Sequence, residues 1–129
     1  MKPFFFILVT GVLLSSCAPK TQAVTEPQIA KLEKGETLII NTTLNLFTFP
    51  RSVIYQMEED KNKTTYAFYT PVLIDSVFNN YHYQLTGNGW TQETLRKRDK
   101  AYEARYSRQG QRLTVRLRLE ADRYILQTS

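Results

Sequence analysis

Residues 112–120 alternate between polar and apolar side chains more regularly than any other part of the chain. The apolar side chains are Leu113, Val115, Leu117 and Leu119, and the polar ones among them are Arg112, Thr114, Arg116 and Arg118. Successive side chains of a β-strand point to opposite faces of a sheet, so this run fits a strand with one buried and one solvated face. The fold must therefore contain a sheet with a covered apolar face and an opposite face that bears arginines.

A hairpin is predicted to join this strand to the residues before it. Gln109 and Gly110 form a two-residue turn signal, because glycine accepts the positive φ angle that such turns require. This loop sets the pairing of residues 101–108 with the next strand. The expected buried pairs are Tyr106 with Leu113, Ala104 with Val115, and Tyr102 with Leu117. On the solvated face the same register places Glu103 opposite Arg116, which is a favourable cross-strand pair.

An antiparallel pair of strands is predicted earlier in the chain, at residues 52–59 and 64–70, on either side of a polar turn. In the first of these strands, Val53, Tyr55 and Met57 are expected to share one face. Residues 37–43 are also β-prone and are a candidate first strand.

One amphipathic helix is predicted between the two groups of strands. It begins at Pro71, with Thr70 as its N-cap, and ends at Gly87. Its apolar stripe consists of Ile74, Val77, Phe78, Tyr81 and Leu85. Strands at 90–97 and 124–128 complete a four-stranded meander around the hairpin. The predicted fold is α+β: a small antiparallel sheet in the order β-β-α-β-β-β-β, with one amphipathic helix packed on one face.

The N-terminus has the features of a cleaved export signal. Lys2 precedes an apolar run at residues 4–14, which is too short to span a bilayer but has signal-peptide length. The run leads into Leu14-Ser15-Ser16-Cys17, and Cys17 is the only cysteine in the chain. This segment resembles the lipobox of bacterial lipoproteins. The alternatives are an uncleaved N-terminal helix, or a cysteine that lies by chance near a different cleavage site.

The lipobox resemblance implies cleavage between Ser16 and Cys17, and acyl chains on Cys17 that anchor the protein to a membrane. Several acyl chains on one residue are sufficient for stable anchoring. Ala18 follows the cysteine where an aspartate retains lipoproteins of enteric-type bacteria in the inner membrane, so the resemblance points to the outer membrane. The domain would then most naturally face the periplasm. The expected organisation is a signal peptide at 1–16, the lipidated cysteine and a flexible tether at 17–35, and one α+β domain at 36–129.

Positive charge is concentrated in the last quarter of the chain. Residues 96–129 contain ten Lys or Arg and four Asp or Glu, whereas residues 18–95 contain six and eight. Outside the cytoplasm, such a surface suits an acidic protein face or an anionic envelope polymer or lipid. Nucleic acid is excluded as a partner, because the lipobox directs the chain away from it. The alternative is that these charges only keep the sheet soluble and protect its edges.

A second resemblance concerns the domain itself. The helix ends in Leu85-Thr86-Gly87-Asn88-Gly89-Trp90 and is followed by a meander. This order, over residues 50–129, is similar to the helix-grip-like domains of small envelope lipoproteins, including those of the lipoprotein accessory of the outer-membrane β-barrel assembly machine. Element order does not carry function. Trp90 is expected to fill the core against the helix, the alternative being a platform on which a ligand stacks.

Catalytic and metal-binding patterns are absent from the sequence. His82 is the only histidine, no second cysteine accompanies Cys17, and no Gly-x-Ser-x-Gly elbow or phosphate-binding glycine loop occurs. The acidic run at residues 58–60 lacks the ligand spacing of a calcium loop and fits a solvated turn. We therefore expect no enzymatic activity, metal or cofactor.

The remaining functional candidates are the arginines on the solvated face of the meander. They are Arg105, Arg112, Arg116 and Arg118, with Arg96 and Arg98 as possible neighbours. Arginine suits bidentate capture of carboxylate or phosphate. We expect a non-enzymatic adaptor that binds an envelope protein or an anionic envelope component through this face. The alternatives are a carrier with a cavity between helix and sheet, and an inhibitor or immunity lipoprotein.

Overall fold

The structure is a computed structural model that describes residues 28–129. These residues form one helix and nine strands. In chain order they are β1 (Ala30–Lys31), β2 (Ile39–Asn41), β3 (Leu46–Phe47), β4 (Val53–Asp60), β5 (Lys63–Tyr69), α1 (Ile74–Gly87), β6 (Thr91–Lys97), β7 (Ala101–Arg108), β8 (Gln111–Glu120) and β9 (Arg123–Thr128). The predicted α+β class with one helix and an antiparallel sheet is therefore confirmed.

The main sheet is larger than predicted. Seven strands lie in the order β1-β4-β5-β9-β8-β7-β6, and all the pairs are antiparallel. The meander β6 to β9 has neighbouring strands in sequence order, as expected. The last strand, β9, also pairs with β5, which joins the early hairpin to the meander in one sheet. The two short strands β2 and β3 form a separate ribbon, which the predicted order β-β-α-β-β-β-β leaves out.

The hairpin between β7 and β8 has the predicted register. Leu113 pairs with Tyr106, Val115 with Ala104, Leu117 with Tyr102, and Arg116 with Glu103. The loop consists of Gln109 and Gly110, with φ angles of 51° and 80°. Two consecutive positive φ angles match the right-handed twist of the flanking strands. The turn therefore fixes which side chains of both strands face the core.

The helix begins three residues later than predicted, at Ile74. Leu73 occupies the N-cap position in an extended conformation, with ψ 155°, and its carbonyl oxygen accepts hydrogen bonds from the N–H groups of Ser76 and Val77. The preceding segment is held by the Tyr124 hydroxyl, which donates to the carbonyl oxygen of Val72 at 2.6 Å. Pro71 and Thr70 therefore belong to the connection from β5, and the predicted cap at Thr70 is wrong.

The helix ends at Gly87, as predicted, but Gly87 does not take the left-handed conformation. Gly89, with φ 92°, takes the left-handed position that the sequence analysis gave to Gly87. The N–H of Gly89 donates to the carbonyl oxygen of Thr86, and the N–H of Trp90 to that of Leu85. These two bonds define a Schellman motif, in which Trp90 and Leu85 are the accompanying hydrophobic pair. Trp90 is 2% exposed and belongs to the core, as predicted.

Strand β4 departs from simple alternation. Its register against β5 shifts between Ile54 and Gln56, which is a β-bulge that inserts one residue. Ile54 is fully buried and Met57 packs against the core, whereas the ring of Tyr55 lies 3.9 Å from the guanidinium carbon of Arg123. The prediction that Val53, Tyr55 and Met57 share one face is therefore wrong, because the bulge changes the parity within the strand.

Residues just after Pro27 already take part in the fold. Ala30 and Lys31, which the sequence analysis assigns to the tether, pair with Ile54 and Val53 of β4. The next side chain, Leu32, is 6% exposed and lies in the core. Cys17, Ser16 and the rest of the predicted signal and tether up to residue 27 lie outside the described residues.

The helix and the β2–β3 ribbon cover the same face of the main sheet. Four side chains of the helix stripe, Val77, Phe78, Tyr81 and Leu85, are 0–3% exposed. Beside them the ribbon contributes Ile40, Leu44 and Leu46 to the same core cluster. Gln84 connects the two elements, because its side-chain oxygen accepts a hydrogen bond from the N–H of Phe47 at 2.8 Å. The opposite sheet face carries the arginines.

The buried side chain of Asn41 ties the ribbon to the β4–β5 turn. Its amide nitrogen donates to the carbonyl oxygen of Lys61 at 2.8 Å and to the Thr64 hydroxyl at 2.7 Å. Its side-chain oxygen accepts a hydrogen bond from the N–H of Leu44 at 2.8 Å. Asn41 is 0% exposed, so these bonds satisfy an amide that has no contact with water.

Helix α1 is too short and too polar to cross a lipid bilayer, and it is the only helix within residues 28–129.

Candidate functional site: an arginine face on the open side of the sheet

The outward side chains of β6, β7 and β8 bring the predicted arginines together. We define the arginine face as this surface and its adjoining turn, with the residues Arg96, Arg98, Arg105, Arg112, Arg116 and Arg118. Arg116 lies beside Glu103, and Glu103 beside Arg96. Arg105 lies next to Thr114 on one side and Thr94 on the other. Strand alternation and pairing register therefore place five of these side chains on one surface, and the β6–β7 turn adds Arg98.

Two of these arginines are held by acidic neighbours. The Nε of Arg116 lies 3.0 Å from a carboxylate oxygen of Glu103, and the Nε of Arg118 lies 2.7 Å from one of Glu120. A terminal nitrogen of Arg118 also donates to the side-chain oxygen of Gln127 at 3.1 Å. Ion pairs this exposed contribute at most about 1 kcal/mol each. Their main effect is to orient the two guanidinium groups.

The other four arginines are not neutralised in this way. Within residues 28–129, the side chains of Arg96, Arg98, Arg105 and Arg112 make no hydrogen bond or ion pair, and all four are exposed. Five N–H donors on each guanidinium remain open to solvent or to a ligand. The arginine face therefore has a surplus of positive charge and of hydrogen-bond donors.

Three adjoining depressions run along the arginine face. The first, of about 200 Å³, lies over Ala101 and is lined by Arg96, Arg98, Arg116 and Arg118, with Glu103. The second, of about 220 Å³, shares Arg96 and Glu103 with the first and adds Arg105. The third, of about 280 Å³, shares Arg105 with the second and ends at Arg112. Together they form an arginine-lined groove across β6, β7 and β8.

The sequence predicts the arginines of this groove but not the depression over Ala101. Arg96 and Arg98, expected as possible neighbours of the face, lie in the same depression as Arg116 and Arg118. Ala101 pairs with Arg118 and lines this depression with a small side chain, and sequence reasoning missed it. The sequence feature that could have indicated the depression is a single alanine at the start of a predicted strand, among residues with long side chains.

His82 is half-buried and has a structural partner. Its Nδ1 lies 2.9 Å from the hydroxyl of Tyr106, a residue that is 0% exposed and whose pKa is raised by burial. Asp75, an acidic residue in the first turn of the same helix, is engaged elsewhere. Its carboxylate accepts hydrogen bonds from Tyr102 at 2.6 Å and Lys97 at 3.3 Å, and these bonds lower its pKa. His82 and Asp75 thus serve separate contacts between helix and sheet.

The acidic run at the β4–β5 turn also has a structural role. A carboxylate oxygen of Glu59 accepts hydrogen bonds from the N–H and the hydroxyl of Thr42, at 2.7 and 2.6 Å, which lowers the pKa of Glu59. Within residues 28–129, no three His, Cys, Asp or Glu side chains come together as a set that could hold a metal ion.

The chain has no significant match among known protein families, curated proteins or solved structures. A functional assignment must therefore be argued from the side chains and their arrangement.

Proposed function

We propose that this protein is a lipid-anchored lipoprotein of the bacterial envelope, held in the outer membrane through Cys17 with its domain facing the periplasm. In this proposal the domain is a non-enzymatic adaptor that binds an envelope protein or an anionic envelope component through the arginine face. The observation that carries the proposal is the groove lined by six arginines, four of which have no partner side chain among residues 28–129.

The groove favours binding over a purely solubilising role for these charges. Arginines that only keep a sheet soluble need no common orientation, whereas two members of this set are held in place through Nε. An ordered guanidinium loses less conformational freedom when it binds a partner. The face therefore combines charge with preorganisation.

The packing between helix and sheet supports the adaptor over the carrier. The Val77 and Leu85 side chains have no accessible surface, and Phe78 and Tyr81 have 1–3%. A side chain that adjoins a cavity large enough for water would retain accessible surface towards that cavity. The interface under the helix stripe is therefore filled, and a ligand could enter only if the helix moved away from the sheet.

Reversing two charges on the arginine face tests the adaptor role. We expect Arg116→Glu combined with Arg118→Glu to reduce capture of the full-length protein on solubilised envelope fractions by about tenfold or more, because about 1.4 kcal/mol of lost attraction has that effect. Lys61→Glu combined with Lys63→Glu makes the same change in charge on exposed side chains at the β4–β5 turn and is the matched control. Equal capture of both double variants and the wild type would remove the basis for the proposal.

Metabolic labelling with an alkyne analogue of palmitate tests the anchor. We expect the wild-type chain to incorporate label and to fractionate with the outer membrane, because acyl chains on Cys17 supply the membrane affinity. Cys17→Ala is expected to lose the label and to remain an uncleaved precursor, whereas Ser16→Ala keeps a small residue before the cysteine and should retain the label. Label that persists in Cys17→Ala would refute the assignment of Cys17.

A further inference from the structure

The depression over Ala101 differs from the rest of the arginine face in the number of arginines that line it, which is four against two in each of the other depressions. Four guanidinium groups and one carboxylate line a space of about 200 Å³. Water occupies about 30 Å³ per molecule in the liquid, so this space admits a compact group of several heavy atoms together with bridging waters. The depression is large enough for one compact group, whereas the groove beyond it is an extended surface.

The acidic neighbours of the depression orient its arginines without using all their donors. Arg116 meets Glu103 through Nε, and its two terminal nitrogens make no hydrogen bond with another described residue. Arg118 uses Nε and one terminal nitrogen, which leaves the other terminal nitrogen unused. The side chains of Arg96 and Arg98 retain all their donors. The lining thus contains four guanidinium groups with unused donors, and two of these groups are already held in place.

We infer from this arrangement that the depression over Ala101 is a phosphate-binding subsite, whose ligand is a phosphomonoester. This inference rests on the proposed function and specifies the chemistry of its ligand. A phosphomonoester carries a charge of about −1.5 to −2 at neutral pH and three strong acceptor oxygens. A carboxylate carries one charge and two oxygens, so it leaves part of the lining without a partner. The surplus of two positive charges, on Arg96 and Arg98, therefore matches the dianion better.

The source of the phosphate is either a lipid headgroup or a soluble phosphoester. Cys17 and Ala30 are 13 residues apart in the sequence, so an extended chain between them spans at most about 45 Å. The distance across the sheet from β1 to β6 is about six strand spacings, or ~29 Å. An anchored domain can therefore lay its arginine face on the surface of its own membrane, and both sources are within reach.

Filling the depression without altering its charge is the decisive test. We expect Ala101→Met to weaken binding of phenyl phosphate to the full-length protein in detergent by about tenfold, measured by calorimetry, because its side chain occupies the space between the guanidinium groups. Arg96→Gln combined with Arg98→Gln should weaken binding at least as much. Arg105→Gln combined with Arg112→Gln removes equal charge from the far end of the groove and should change the affinity by less than about threefold.

Acetate at matched ionic strength is the control for the ligand. We expect it to bind the wild type at least tenfold more weakly than phenyl phosphate, which corresponds to a difference of about 1.4 kcal/mol in binding free energy. A water-soluble phosphatidic acid with short acyl chains distinguishes the sources, because the acyl chains on Cys17 would bind any vesicle whether or not the depression is filled. Binding of both phenyl phosphate and this phosphatidic acid, each lost in Ala101→Met, indicates a lipid phosphomonoester. Binding of phenyl phosphate alone indicates a soluble ligand. Equal binding of acetate and phenyl phosphate, or an Ala101→Met variant that binds phenyl phosphate like the wild type, overturns the inference.

These outcomes separate the subsite from the adaptor role. If Ala101→Met binds phenyl phosphate normally while Arg116→Glu with Arg118→Glu loses envelope capture, the arginine face still binds its partner and only the phosphate subsite is refuted. If Ala101→Met loses phosphate binding while the charge-reversal variant is captured normally, the subsite stands and the adaptor proposal falls. Circular dichroism of each variant establishes that it is folded before its binding is compared.

Discussion

Replacing Asn41 with aspartate is expected to destabilise the domain by about 3–5 kcal/mol at neutral pH, which is the usual cost of leaving a buried charge without a partner. The substitution preserves shape and keeps the acceptor for the N–H of Leu44. However, it replaces the amide donor by an oxygen that faces the carbonyl oxygen of Lys61 at 2.8 Å. Urea denaturation followed by the fluorescence of Trp90, the only tryptophan, measures the change.

Asn45→Asp is the matched control, because it introduces the same charge four residues along the chain at an exposed position. Exposed substitutions usually change the free energy of unfolding by less than about 0.5 kcal/mol. The loss caused by Asn41→Asp should also decrease at acidic pH, where a protonated carboxyl can donate again to Lys61. Equal stability of the two variants at pH 7 would show that the Asn41 hydrogen bonds do not hold the ribbon.

The role of Asn41 is of a kind that a single sequence does not reveal. Its partners are a neighbour in the ribbon, Leu44, and two residues 20 and 23 positions away, Lys61 and Thr64. Nothing in the local pattern of residues 37–43 distinguishes an asparagine that is exposed in a turn from one buried under a hairpin. The ribbon was predicted only in part: the candidate strand at residues 37–43 contains β2, but its partner β3 was not predicted, because a two-residue strand carries no periodic signal.

The meander, in contrast, was predictable almost to the residue. The alternation at 112–120 set the two faces of β8, and the loop at Gln109 and Gly110 left a single register for β7. Local chemistry and side-chain parity agreed there, which is the condition under which sequence patterns specify structure. The bulge in β4 is the counterexample. Its one inserted residue puts Met57 on the sheet face opposite to Tyr55, and no glycine marks the position of the bulge.

The candidate site was predictable as a set of charges but not as a shape. Parity alone placed Arg105, Arg112 and Arg116 on the outer face. The depression depends on Ala101, on the course of the turn that carries Arg98, and on the ion pairs that orient Arg116 and Arg118. These features arise between strands, so they become visible only when the strands are assembled.

Alkaline conditions are expected to destabilise the domain by about 5 kcal/mol between pH 10 and 12. Burial raises the pKa of Tyr66, Tyr81 and Tyr106 above 10, the value in an unfolded chain. Their contribution to stability is complete below pH 10. Above that pH the unfolded state releases these protons first, so the free energy of unfolding falls. Each tyrosine that stays protonated in the folded state contributes a slope of about 1.4 kcal/mol per pH unit. The pKa shifts of Tyr81 and Tyr106 are the large ones, so these two residues alone remove about 5 kcal/mol within two units, which equals the stability of a domain at the lower end of the usual range of about 5–15 kcal/mol.

Two phenylalanine substitutions distinguish this mechanism from a general effect of high pH. The Tyr81 hydroxyl is buried and makes no hydrogen bond within residues 28–129. Tyr81→Phe should therefore leave the stability at pH 7 unchanged or raise it, because an unsatisfied buried hydroxyl costs about 1–3 kcal/mol. Tyr81→Phe should also make the free energy of unfolding fall less steeply with pH above pH 10, and it should raise the pH at which half of the protein is unfolded.

Tyr102→Phe should have the opposite effect at pH 7. The Tyr102 hydroxyl donates to Asp75 at 2.6 Å, and this bond to a carboxylate, with burial as a smaller cause, raises the pKa of Tyr102 to about 12. Removing the hydroxyl releases the contact between β7 and the first turn of the helix, so stability falls at neutral pH. The difference in stability between Tyr102→Phe and the wild type then narrows as pH rises from 10 to 12, because the wild type loses its Tyr102–Asp75 hydrogen bond over that range. Urea titrations at pH 7, 10 and 11 test both variants together. A Tyr81→Phe variant with the wild-type slope would show that buried tyrosines do not drive the alkaline transition.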